Sequence, residues 1–202
     1  GSEVEAAVVA LQIPTSVPQL FVPGNHDSPA ITAALDALPQ VTVIDGRSVD
    51  VDGLRVFGVA DPSSASSGLE PDSESLVADA KAAADSLAAG VASGEATPTI
   101  IAFHNPAMRE PFLGLAELIV AGHTHTPVLE MRGGTWYLNS GTTGGIHFSK
   151  MRSDPHIPHS ASILYYSAEL PRRLIAIDQV EVYGLAGQSS VRRTVIEESL
   201  VP

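Results

Sequence analysis

The sequence predicts an α/β domain built of mixed β-sheets in layers, flanked by helices. Three observations predict it. Short apolar runs of strand type outnumber the helical patterns. The helical patterns cluster in the first half and the strands in the second. Fifteen Pro and seventeen Gly supply the turns that many short strands need. With 202 residues the chain has room for one domain with a sizeable core and is too short for two ordinary ones. No internal repeat or linker divides it, so residues 1–202 are read as a single domain.

The elements follow in order. Residues 2–12 have a helical stripe of Val4, Ala7, Val8 and Leu11, with Ser2 and Glu5 at capping-box spacing. After Pro14 and Pro18, residues 19–22 (QLFV) read as a short buried strand. A helix is expected over Pro29–Leu38, with Pro29 in its first turn. Residues 41–45 read as a strand, and residues 49–60 as a hairpin turning at Asp52-Gly53. A Ser-rich loop fills 61–75. The helix expected over 75–92 has a narrow, Ala-rich stripe of Leu76, Ala80, Ala83, Leu87 and Val91, which predicts close packing.

The second half is strand-rich. Residues 99–103 (TIIAF) read as a buried strand ending at His104, and 115–122 (LAELIVAG) as one ending at His123. Residues 127–141 read as strand, Gly-Gly turn and strand. An irregular stretch spans 146–160. Strands are expected at 161–166, 172–182 and 191–197.

Bulk properties narrow the function. Apolar residues make up 44% and charged residues 17%, a globular composition. The formal charge of −12 opposes general binding to nucleic acid or to an anionic membrane surface. A small anionic substrate would need local positive charge, which a metal could supply. The absence of cysteine excludes disulfides, thiolate metal sites and cysteine nucleophiles. No apolar run approaches the roughly 20 residues of a membrane span.

Three apolar strands end in polar clusters: LFVPGNHD, TIIAFHNP and LIVAGHTH. They present Asn25, His26, His104, His123 and His125 at almost the same offset. In one sheet these tips would converge at one edge, where open α/β sheets place their ligand sites. Imidazole suits Mn, Fe and Zn, and an amide oxygen suits harder ions. In Gly122-His123-Thr124-His125 the histidines are two apart. An extended strand would point them the same way, and a tight loop would let them diverge towards two ions. Gly24 and Gly122 are expected to let the backbone turn sharply. Taken alone, His104 fits a structural role as well as a functional one. His147, His156 and His159 match no strand tip and are read as ordinary histidines.

The order GNHD, a histidine after a strand, then GHTH resembles the calcineurin-like metallophosphoesterases, over residues 1 to about 144. The resemblance implies two facing mixed β-sheets flanked by helices, and a dinuclear centre of divalent ions (Mn, Fe or Zn) at the strand ends. It implies Asn25, His104 and His123 as ligands of one ion and His125 as a ligand of the other. His26 would contact the phosphate and help the leaving group depart, with Asp27 orienting it. The substrate class would be a phosphodiester or phosphomonoester. A scaffold that keeps the fold without catalysis is the competing expectation, and a His-based metal carrier a weaker one.

The resemblance also predicts motifs that these residues lack. The family's Asp-x-His and Gly-Asp, at the tips of its first two strands, have no counterpart here; Asp154 and His156 stand late in a loop. Two N-terminal strands are therefore expected to be missing, and the chain alone is expected to hold one ion or none and to turn over weakly. An exposed sheet edge, open to dimerisation or strand swapping, is expected as well. Any membrane anchor would belong to upstream sequence of a parent protein, by resemblance to actinobacterial proteins. Arg109, Lys150 and Arg152 are the cations that could meet a phosphate.

Overall fold

Alternation of apolar residues along the strands decides the layers. The computed structural model describes residues 16–65, 73–143, 158–183 and 188–196. The helix expected at 2–12, most of the Ser-rich loop, His147, Lys150, Arg152, Asp154 and His156 lie outside these. Two helices are described, α1 (Pro29–Asp36) and α2 (Ser73–Ala92). The strands are β1 (Gln19–Phe21), β2 (Val41–Val43), β3 (Arg47–Val51), β4 (Leu54–Val59), β5 (Ile100–Phe103), β6 (Leu118–Ala121), β7 (Val128–Arg132), β8 (Thr135–Asn139), β9 (His159–Tyr166), β10 (Leu174–Tyr183) and β11 (Gln188–Val195).

A mixed six-stranded sheet has the order β3-β4-β5-β6-β8-β7. Its centre, β4-β5-β6-β8, is parallel, and β3 and β7 pair antiparallel at its edges. Phe57, Val59, Ile101, Phe103, Ile119, Ala121 and Tyr137 face α2, which lays Leu76, Ala80, Ala84 and Leu87 against them. The intervening residues Val56, Ile100, Leu118 and Leu138 form the other face. There they meet Leu20 and Val22 beside β1, and Leu164, Leu174 and Ile177 from β9 and β10. Period-two alternation thus buries both faces of one sheet.

The second layer is divided among the described residues. Parallel β1-β2 forms one part and antiparallel β11-β10-β9 the other. The outer side of β1-β2 is closed by Ile31 and Leu35 of α1, packed with Val41 and Phe21. The sandwich of facing sheets flanked by helices is therefore present. The three polar-tipped strands are divided between the layers: the GNHD strand belongs to the facing layer, not to the sheet of the other two.

Local chemistry accounts for the boundaries. Ser28 accepts from the Ile31 amide and Pro29 opens α1, as an N-cap followed by proline should. That helix stops at Asp36, two residues before Leu38. The β3–β4 turn has positive φ at both Asp52 (49°) and Gly53 (80°), the tight-hairpin conformation that Asp-Gly favours. The strand expected over 115–122 shrinks to β6 because 115–117 turn out of the sheet. His159, expected in an irregular stretch, opens β9 and is exposed.

Candidate metal centre

Parallel pairing places three C-terminal tips side by side. Val59 is in register with Phe103, and Ala102 with Val120. The next residues beyond the strands are therefore Ala60-Asp61, His104 and Gly122-His123. The Gly122 amide donates to the His104 carbonyl (3.0 Å), which locks the second tip to the third.

The GNHD loop arrives from the facing layer. The Asp61 amide donates to the Pro23 carbonyl (2.8 Å) and fixes the loop over the tip of β4. Asp27 closes its own turn: its amide donates to the Gly24 carbonyl (3.0 Å) and its Oδ2 accepts from the Gly24 amide (2.7 Å). The His104 ring fills the space that a side chain at Gly24 would need and lies in contact range of Gly122. A Cβ on Gly24 would stand 2.7 Å from its Cγ, and one on Gly122 3.4 Å from its Nδ1. Close approach of the ring, rather than left-handed backbone, is the reason for glycine at position 24; at Gly122 the same ring stands at ordinary van der Waals distance.

Left-handed backbone falls instead on the histidines. His123 (φ 68°) and His125 (φ 57°) both adopt it, at about 1–2 kcal/mol per non-glycine residue. The GHTH stretch is a tight loop, with the Thr124 amide donating to the Gly122 carbonyl (2.8 Å). Asn139, at the tip of β8, clamps that loop. Its amide donates to the Gly122 carbonyl and to Thr124 Oγ1, and its own oxygen accepts from the Gly141 amide.

The outcome is a pair of convergent imidazoles. His104 Nε2 and His123 Nδ1 are 3.2 Å apart, with the rings edge-to-face at 86°. Two nitrogens bound to one ion at 2.0–2.1 Å stand about 3.0 Å apart in octahedral and about 3.4 Å apart in tetrahedral geometry. The pair fits that chord. Burial, and then the nearby His123, push the His104 pKa down, while Asp61 and Asp27 pull it back. A neutral imidazole is the form that binds a metal.

Asn25 and His125 are half-buried, His26 is exposed, and the Asn25 side-chain oxygen is buried. Among the described residues, no three His, Cys, Asp or Glu side chains stand together as a metal-holding group. Arg109 is engaged elsewhere, with Glu130 (3.1 Å), with Glu110 (3.3 Å) and over the Tyr137 ring. Two residues were missed by the sequence reading, Asp61 and Asn139. Both had the signal used for the histidines, since LRVFGVAD and TWYLN are also apolar runs with a polar tip.

Residues 3–154 match the family model described as the calcineurin-like phosphoesterase superfamily domain, which is more than half of the chain. The chain belongs to the calcineurin-like phosphoesterase superfamily. No curated protein sequence matches it. Similar solved structures include a single mutant of Vps29 from Entamoeba histolytica, at 15% identity and a TM-score of 0.41, covering 95% of this chain and 89% of that one. Wild-type Vps29 from the same organism, complexed with Zn²⁺, gives 14% identity and a TM-score of 0.40, covering 93% and 88%. Vacuolar protein sorting 29 from Cryptosporidium parvum gives 13% and 0.43, covering 94% and 87%. Among the described residues, no helix is long and apolar enough to cross a membrane.

Proposed function

We propose that this chain forms a metal-dependent phosphoesterase domain acting on a phosphodiester or phosphomonoester. The observation that carries the reading is the His104–His123 pair, 3.2 Å apart at adjoining strand tips. His104 and His123, with Asn25, would hold one divalent ion, Mn, Fe or Zn; His125 would serve a second. Bound ions would supply the positive charge that a chain of net charge −12 lacks, and would lower the pKa of a bound water. His26, exposed at the loop tip, would meet a phosphate oxygen and hand a proton to the departing oxygen. Asp27 holds the turn that carries His26.

The test is hydrolysis of bis-p-nitrophenyl phosphate and p-nitrophenyl phosphate with and without Mn²⁺ or Zn²⁺. Low, metal-dependent turnover that disappears in His104→Ala is expected. Turnover that His104→Ala leaves unchanged sinks the reading.

The competing reading is a non-catalytic binding module. It is favoured by the outer side of β9–β11, where Ile163, Val191 and Val195 are 48%, 61% and 65% exposed. Metal-independent behaviour together with partner binding through that face would favour it over hydrolysis. Pairing of the β11 edge with a second copy belongs to the same proposal; a monomer by light scattering at high concentration counts against it.

A further inference from the structure

Asp61 stands out among the groups the proposed chemistry does not use. It is 1% exposed, at the tip of β4. One of its oxygens is accounted for. Oδ1 accepts from the Ser63 amide (2.9 Å) and from the Ser63 hydroxyl, capping the short 3₁₀ turn Pro62–Ala65. The other oxygen, Oδ2, is buried and has no hydrogen-bond partner among the described residues. A buried carboxylate oxygen without a partner is costly, and asks for an ion, a water or a catalytic role.

The surroundings say which way the charge works. The Asp61 amide bonds the Pro23 carbonyl, and the next residue, Gly24, lies against the His104 ring. β4 and β5 are parallel neighbours, so Asp61 and His104 leave the sheet side by side. The Asp61 charge acts on the His104 imidazole in the sense that favours positive charge there. No described trio of acidic and histidine side chains forms a metal-holding group, and the role argued here for Asp61 does not need it to touch the ion. A cap alone explains neither the depth of burial nor the idle oxygen, because Oδ1 does all the capping.

We propose that Asp61 is a positioning residue of the metal centre, supplying buried negative charge beside the cation held by His104 and His123, with its free oxygen receiving a water or N–H of that site. The role rests on the metal reading above. It deepens that reading by adding an anionic group no strand-tip histidine provides. Loss of such an outer group costs about 10–100-fold in metal affinity.

The experiment is calorimetric Zn²⁺ titration of the full 202-residue chain, alongside Asp61→Asn and His104→Ala, with thermal melting of each metal-free protein. Asparagine keeps the capping oxygen and removes the charge. The expected result is a Zn²⁺ affinity about 10–100-fold lower in Asp61→Asn, with the metal-free melting temperature unchanged or raised. Unchanged affinity, whatever happens to melting, overturns the role of Asp61 while the His104 site stands. Failure of the parent chain to bind Zn²⁺ overturns the metal reading itself. If Asp61→Asn does not fold, the side-chain carboxyl ¹³C resonance of Asp61 in the parent chain decides. A shift on Zn²⁺ addition supports the proposal, and an unmoved signal in a Zn²⁺-bound chain overturns it.

Discussion

The His104 ring lies so close to the backbone of Gly24 that a Cβ there would stand 2.7 Å from its Cγ. The two residues come from opposite layers of the sandwich, so this contact joins the GNHD loop to the histidine pair. Gly24→Ala must push the ring or the loop away. The expected cost is about 1–3 kcal/mol of stability, as for other overpacked sites, with weaker Zn²⁺ binding because the His104–His123 spacing is disturbed. Urea unfolding and metal titration check both. An alanine variant as stable and as tightly binding as the parent would show that the contact is slack.

His104 should titrate below its ordinary value of 6.5, through burial first and the neighbouring His123 second. The sign for stability follows. Between the lowered folded value and 6.5 the unfolded chain takes a proton that the folded chain refuses. The metal-free protein is therefore at full stability above 6.5 and loses stability as pH falls through that window. NMR titration of the ring gives the midpoint, and His104→Gln should flatten the pH dependence of unfolding. A midpoint above 6.5 contradicts the burial argument.

His125 carries left-handed backbone, with φ 57°. Glycine adopts this conformation without penalty, whereas alanine pays about 1–2 kcal/mol. His125→Gly should therefore exceed His125→Ala in stability by about 1 kcal/mol, although both remove the imidazole. Equal denaturant midpoints for the two variants would mean that the loop relaxes out of the conformation.

On the three-stranded sheet, Arg193 donates twice to the Asp178 carboxylate at 2.7 Å and lies over the Tyr165 ring, while the Tyr165 hydroxyl donates to the same carboxylate. The Arg193 hydrogen bonds hold the Asp178 carboxyl below its usual range. The stability this contributes is present above the ordinary carboxylate range and is lost as pH falls through the lowered value. Arg193→Ala should lower the melting temperature at neutral pH, by a margin that closes in strong acid. A margin independent of pH would assign the loss to ring packing instead.

The elements were legible because their signals are local. Pro29 marked the start of α1, Asp52-Gly53 marked the β3–β4 hairpin, the apolar run at 99–103 marked β5, and the Gly-Gly turn within 127–141 marked β7 and β8. Strand ends were less legible. β6 begins only at Leu118 because Leu115, Ala116 and Glu117 turn before it, although two of the three are apolar. Tight turns do follow Gly24 and Gly122, and at Gly24 the missing side chain also makes room for the His104 ring.

By itself the sequence determined which side chains stand at strand tips: Asn25, His26, His104, His123 and His125. Strand periodicity and turn chemistry act over a few residues, so they can be read from a few residues. Only the tertiary structure decided that the GNHD loop approaches from the facing layer, that His104 Nε2 and His123 Nδ1 meet at 3.2 Å, and that Asp61 is buried beside them with one oxygen idle. Those facts depend on sheet order and on contacts between residues far apart in the chain. No local pattern encodes them, because the same alternation serves a strand in either layer.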